Sequence, residues 1–184
     1  ASVALRPYQE ANIRVDKMRN VLKALGALTA EHVKDQKATT DFFAANVIGV
    51  VVDSEGTVIE GAPPADQVDH QAEQRMAARD PQYKAKLPVF LLKKDGKPVA
   101  YAIPVYGKGL WSTLLGYMSF EADLNKVRGI TFYQHGETPG LGAEIESAAF
   151  QNPFKDNKRI LNAEGRLAPI AVVKGRAVDV ARNE

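Results

Sequence analysis

One short turn constrains the fold of this 184-residue chain more than any other feature of its sequence. The turn, Lys94-Asp95-Gly96-Lys97, lies between two apolar runs, Pro88 to Leu92 and Val99 to Tyr106. An Asp-Gly pair supplies the positive backbone φ that a tight hairpin turn requires. The two runs are therefore predicted to pair as antiparallel strands.

Other strand and turn signals extend this pattern along the chain. Val47 to Val52, the turn after it and Thr57 to Ile59 predict a second hairpin. Val127 to Tyr133 predicts a further strand, and Leu167 to Val180 a last hairpin. Helical segments are predicted over residues 143–150 and, as a surface helix or an ordered insertion, over residues 65–80. The predicted class is α+β, with an antiparallel or mixed sheet and flanking helices.

The N-terminal region predicts a long amphipathic helix. Apolar residues recur there at spacings of three and four, namely Ala11, Val15, Met18, Leu22 and Leu25. Pro7 suits the first turn of such a helix, and Gly26 suits its end. Two interpretations stay open: a helix packed on the core, or a stalk that leads away from a membrane. Residues 1–26 form this unit, and residues 27–184 form the remaining domain.

The composition excludes several kinds of site. The chain has no cysteine, which excludes disulfides, thiolate metal sites, iron–sulfur clusters and a cysteine nucleophile. Its three histidines show no metal-ligand spacing. The net charge of +2, with scattered basic residues, argues against a nucleic-acid surface. Within residues 1–184 no apolar run has the length of a membrane span.

A glycine-rich segment, His135 to Gly142, follows one predicted strand and precedes a predicted helix. Such a turn can direct backbone N–H groups at an anion. In a binding site, the Thr138 hydroxyl would donate to a ligand and the Glu137 carboxylate would accept from one. Leu141 would lie against a flat ring. The spacing fits neither a dinucleotide fingerprint nor a P-loop, and an ordinary turn is the alternative.

A second segment, Gly107 to Ser112, contains the only tryptophan of the chain, Trp111, after two glycines. Glycines at such positions allow the backbone to approach another group closely. The indole is then available to stack on an aromatic cofactor. Packing of Trp111 in the core is the alternative interpretation.

Together the two segments, Gly-Glu-Thr-Pro-Gly-Leu-Gly and Gly-x-Gly-Leu-Trp-Ser, resemble the NqrC family, one of the subunits of the sodium-translocating NADH:quinone reductase (NQR). The resemblance extends from residues 17–22 of the N-terminal helix to residues 172–175. The first segment is shared with the RnfG family of the related Rnf electron-transport complexes. Residues 107–112 and the N-terminal helix favour the quinone reductase family.

This resemblance implies a fold, a cofactor and a location. Proteins of this kind have one N-terminal membrane helix and an extracytoplasmic α+β domain, on the periplasmic side of the bacterial inner membrane. Their FMN relays electrons between other subunits of a sodium-exporting complex that oxidises NADH and reduces ubiquinone. Trp111 would flank the flavin ring, and Lys174 would approach the phosphate or the ring edge. The implied cofactor-binding residues are Trp111, Glu137, Thr138, Gly140, Leu141, Gly142 and Lys174; no catalytic residue and no metal ligand is implied.

One departure concerns how the cofactor is held. The family attaches FMN through its phosphate to a threonine in a Ser/Thr-Gly-Ala-Thr motif near the C-terminus, and residues 1–184 contain no such motif. We expect the attachment segment and the membrane helix to lie outside these residues, and FMN to bind weakly or not at all to this polypeptide. Two alternatives remain: a protein of the RnfG type, and a non-catalytic extracytoplasmic interaction domain whose glycine loops are ordinary turns.

Overall fold

The computed structural model describes residues 2–155 and 158–168, with side chains from residue 11 onward. Its centre is a five-stranded sheet in the order β1-β2-β3-β4-β5, in which every pair of neighbours is antiparallel. The α+β class is thus confirmed, and within the described residues the sheet is antiparallel rather than mixed. The strands are β1 Val47–Val52, β2 Leu87–Lys94, β3 Lys97–Lys108, β4 Thr113–Glu121 and β5 Val127–Gln134.

The hairpin predicted from the Asp-Gly turn is confirmed. β2 and β3 pair up to Lys94 and Lys97, which face each other across the turn. Asp95 and Gly96 have φ values of 51° and 76°. Two successive positive φ angles are typical of the type I′ turn, whose twist matches that of the strands.

Five α-helices and three short 3₁₀ segments surround the sheet in the described part of the chain. The α-helices are α1 Ser2–Ala24, α2 Ala30–Lys34, α3 Gln36–Asn46, α4 His70–Arg79 and α5 Ala148–Gln151. The 3₁₀ segments are Ala65–Gln67, Gly142–Glu146 and Asn152–Phe154.

Several local predictions are corrected by these elements. The helices α2 and α3 were not predicted; Thr29 and Asp35 cap them with their side chains. The hairpin predicted after β1 is reduced to one bridge, between Val52 and Val58, and β1 pairs along its length with β2 on its other side. The helix predicted over residues 143–150 is a 3₁₀ turn followed by one short α-helix. The strand β4 was not predicted at all.

The sheet binds the C-terminal end of α1 through hydrogen bonds to carbonyl groups at the end of the helix. The Ser119 hydroxyl donates to the Ala24 carbonyl at 2.5 Å, and the Arg128 Nε–H donates to the Leu25 carbonyl at 2.8 Å. The apolar face of α1 is buried here, with Val21, Leu22 and Leu25 fully enclosed. Among the described helices none combines the length and the apolar character needed to cross a bilayer.

Candidate functional site

The register of the sheet brings the two glycine-containing segments to the same end. β3 and β4 are joined by residues 109–112, and the turn is closed by the Gly109 N–H, which donates to the Ser112 carbonyl at 2.8 Å. Leu115 of β4 pairs with Gln134, the last residue of β5. The chain that leaves β5 therefore runs directly beside the β3–β4 connection.

Glu137 joins the two segments. Its side chain is buried, with 9% of the residue exposed. Its Oε1 accepts the N–H groups of Trp111 and Ser112 at 3.1 and 3.2 Å, and its Oε2 accepts that of Leu110 at 3.2 Å. Hydrogen bonds from backbone amides to a carboxylate are stronger than those between neutral groups. Glu137 therefore fixes the conformation of the β3–β4 connection.

The same bonds set the charge state of Glu137. The Trp111 N–H, followed by those of Ser112 and Leu110, holds the pKa of the Glu137 carboxyl below its ordinary value, against the opposing effect of burial. A carboxylate that accepts several N–H groups is stabilised in its ionised form. The sequence suggested an acceptor for a ligand; the structure shows one already engaged by the protein's own amides. A direct contact with a ligand remains a prediction.

Ser112 is a second link between the segments, and His135 holds the second segment from within; the sequence motifs give neither residue a role. The Ser112 Oγ accepts the Gly136 N–H at 2.5 Å. His135 accepts the Glu137 N–H on Nδ1 at 3.2 Å, and its Nε2 lies 3.0 Å from Oε1 of Glu146. No sequence signal pairs residues that lie 24 positions apart, as Ser112 and Gly136 do.

Positions 109 and 142 need glycine because Glu137 lies very close to the backbone at both. A Cβ atom at position 109 would overlap the Glu137 Oε1 and lie 2.9 Å from the Glu137 Cδ. One at position 142 would lie 2.9 Å from the Glu137 Cβ. These distances are shorter than van der Waals contact permits. The glycines therefore allow the two segments to close around one buried carboxylate.

The joined segments present apolar side chains to solvent. Leu110, Trp111 and Leu141 are 79%, 71% and 73% exposed. The interpretation of Trp111 as a core residue is therefore wrong. Single exposed apolar residues are common, but three large ones at one hydrogen-bonded junction are typical of a binding surface.

The turn that carries Leu141 is closed by backbone hydrogen bonds within the turn itself. The Thr138 carbonyl accepts the N–H groups of Leu141 and Ala143 at 3.1 and 3.2 Å, and Gly140 has a φ of 73°. Thr138 itself is exposed, and its hydroxyl makes no hydrogen bond within the described residues. That hydroxyl is free to donate to a ligand or accept from one.

A cleft of about 480 Å³ borders this surface, between α4 and the β3–β4 connection. Its volume lies in the range of small-molecule sites. Its lining includes Gln71 and Arg75 of α4, Tyr106 and Lys108 of β3, and Trp111. No carboxylate is among the described residues that line it.

The predicted site residues thus fall into two groups. Trp111, Glu137 and residues 138–142 lie at one end of the sheet, whereas Lys174 lies outside the described residues. The described part of the chain contains no group of three His, Asp or Glu side chains that could hold a metal ion.

Known proteins are similar to this chain in sequence. Residues 109–180 match the FMN-binding domain family, a range that includes residues 109–112 and all of residues 135–142. The chain is 34% identical to the NqrC subunit of the Na⁺-translocating NADH-quinone reductase of Pseudomonas aeruginosa, over 95% of this chain and 70% of that protein. It is also 34% identical to the same subunit of Vibrio campbellii, over 96% and 71%.

Solved structures show the same similarity. The crystal structure of the corresponding reductase subunit from Parabacteroides distasonis aligns with a TM-score of 0.75 and 32% identity, over 92% of this chain and 77% of that one. The structure of NqrC from Shewanella oneidensis aligns with a TM-score of 0.73 and 28% identity, over 90% and 79%.

Proposed function

The chain belongs to the NqrC family of subunits of the Na⁺-translocating NADH-quinone reductases, and from this premise we propose that it is the FMN-carrying electron-transfer subunit of such a complex. One observation carries the proposal. Glu137 joins the two segments of the FMN-binding domain match and leaves Trp111 and Leu141 exposed at their junction.

The residues present fit a flavin nucleotide. A flavin is a flat ring system with polar edges, and it binds to apolar faces that have a few hydrogen-bonding groups beside them. Trp111 and Leu141 supply the apolar faces, and the unpaired Thr138 hydroxyl supplies a polar group. When bound, FMN supplies the electron transfer, and the protein supplies binding, orientation and electrostatics.

Hydrogen bonds within the chain order this site before a ligand binds. Glu137 fixes the three amides of the β3–β4 connection, and Ser112 fixes Gly136 on the opposite segment. A loop that is already ordered loses less conformational entropy on binding. Glu137 and Ser112 therefore hold Trp111 in position, and their role does not require that they touch the flavin.

The location and the domain organisation are part of the same proposal. Residues 1–26 form a helix whose C-terminal part packs on the sheet and whose N-terminal end continues from a membrane helix, and residues 27–184 form the FMN-binding domain on the periplasmic side. There the flavin relays electrons between other subunits of the complex. Lys174 contributes at the phosphate or the ring edge, and a threonine outside residues 1–184 carries the phosphate ester.

The test is a fluorescence titration of FMN with the wild-type chain and with three variants, Trp111→Ala, Leu141→Ala and the control Val58→Ala. Val58 is also an exposed apolar residue, but it follows β1 and lies outside the joined segments. An aromatic contact contributes about 0.5–1.5 kcal/mol, so we expect roughly two- to tenfold weaker binding for Trp111→Ala. Leu141→Ala should also weaken binding, and Val58→Ala should not.

Two results would contradict the proposal. The first is a full-length subunit that carries no flavin, as a non-catalytic interaction domain would. The second is an equal effect of all three substitutions. Mass spectrometry of the full-length subunit tests the ester separately, because covalent FMN adds a defined mass to the polypeptide.

A further inference from the structure

Two cations in the cleft beside Trp111 have no hydrogen-bond or ion-pair partner in the described part of the chain. Arg75 projects from α4 and Lys108 ends β3, and both line the cleft. Neither makes a hydrogen bond or an ion pair within the described residues. Two unpaired cations on separate elements of one cleft form a region of positive potential.

The acidic groups nearby are engaged elsewhere. Glu73, between Gln71 and Arg75 on α4, accepts from the Tyr83 hydroxyl and from the Lys86 N–H, both at 2.8 Å. Gln71 and Arg75 are four residues apart and share the face that borders the cleft. The Glu137 carboxylate is bonded to three backbone amides. Within the described residues, neither Glu73 nor Glu137 forms an ion pair with Arg75 or Lys108, and no carboxylate lines the cleft.

Aromatic side chains accompany these charges. Tyr106 is 48% exposed and lies in the same cleft as Trp111. A guanidinium can bond an anion through two parallel N–H groups, whereas an ammonium acts as a point charge. Cations beside exposed aromatic faces are complementary to a ligand that is both flat and negatively charged.

We propose that Arg75 and Lys108 form an anion subsite of this cleft that receives the negative charge of the flavin nucleotide. The inference rests on the proposed function. It adds two residues to which the sequence motifs give no role: Arg75 lies outside both joined segments, and Lys108 is the unspecified position of Gly-x-Gly. Two parts of FMN carry such a charge: its phosphate, and its ring system once it has accepted electrons.

The experiment compares Arg75→Gln and Lys108→Gln with matched controls in the apo form of the full-length subunit, before the phosphate ester has formed. Arg79→Gln changes a cation of the same helix, and Lys97→Gln changes one at the opposite end of the same strand; neither control residue lines the cleft. FMN and riboflavin are titrated at low and high salt, and the midpoint potential of each bound flavin is measured.

Two results support the subsite and identify its source of charge. If the subsite binds the phosphate, each cleft substitution weakens FMN binding about fivefold at low salt and less at high salt. This is the effect expected from losing one unit charge about 4 Å from the phosphate in water. Riboflavin, which lacks the phosphate, is then unaffected. If the subsite instead stabilises the reduced ring, the substitutions leave the binding of oxidised FMN and riboflavin unchanged. Both midpoint potentials then fall, because the reduced form has lost a favourable charge. A tenfold loss of preference for the reduced form corresponds to about 30 mV for a two-electron couple.

Two other results overturn it. If the wild-type subunit binds flavin and the cleft variants behave as the controls do, the subsite is wrong while the proposed function stands. If the wild-type subunit binds neither flavin, both proposals are overturned.

Discussion

A single methyl group at Gly109 should disturb the site more than one placed two residues earlier. The new Cβ of Gly109→Ala would overlap the Glu137 Oε1 and lie 2.9 Å from the Leu114 Cδ2. The Leu114 side chain can rotate away. The Glu137 oxygen cannot move without lengthening its bonds to the Trp111 and Ser112 amides. Overpacking of this kind costs about 1–3 kcal/mol.

Gly107→Ala is the matched control, because a Cβ at position 107 meets no atom within 4 Å. Both variants add the same methyl group to neighbouring positions of the chain. Urea unfolding measures the free energy of unfolding. In a thermal melt, a loss of 1 kcal/mol would lower the Tm by about 2–4 °C in a chain of this size. Flavin titration measures the site directly, and Gly109→Ala should bind more weakly than Gly107→Ala.

The explanation fails if the two variants unfold and bind flavin alike. It also fails if Gly109→Ala loses stability and yet keeps wild-type flavin affinity. In that case the conformation that Glu137 imposes on the β3–β4 connection would have no bearing on binding.

Two further predictions concern single polar groups. The folded-state pKa of Glu137 is lowered, so its ionised form stabilises the fold above the unfolded value of about 4.3, and this contribution is lost as the pH falls through the folded pKa. Glu137→Gln should therefore show a shallower loss of stability in urea unfolding as the pH falls below about 4.3, and a profile parallel to wild type would contradict this. Thr131 is 2% exposed, and its hydroxyl has no partner among the described residues. Thr131→Val keeps the shape and should raise the unfolding free energy by up to about 1 kcal/mol, whereas a clear loss would reveal a missing partner.

The sequence alone predicted the features that depend on neighbouring residues. The β2–β3 hairpin follows from Asp95 and Gly96, since the turn conformation is a property of those two residues. The sequence also identified residues 107–112 and 137–142 as candidate segments, and their motifs led to the family. It missed α2 and α3, where Thr29 and Asp35 are local capping signals that the sequence analysis did not use.

The tertiary structure decided how the identified residues are used. Glu137 accepts from amides 25 to 27 positions away, and only the antiparallel register of β3, β4 and β5 places those amides beside it. Trp111 is a large aromatic residue of the kind often found in protein cores, yet its side chain lies in solvent. Burial depends on which other segments pack against a side chain. Turn chemistry is local and can be predicted from adjacent residues. Hydrogen-bond partners and exposure depend on contacts between distant segments, which exist only after the sheet has formed.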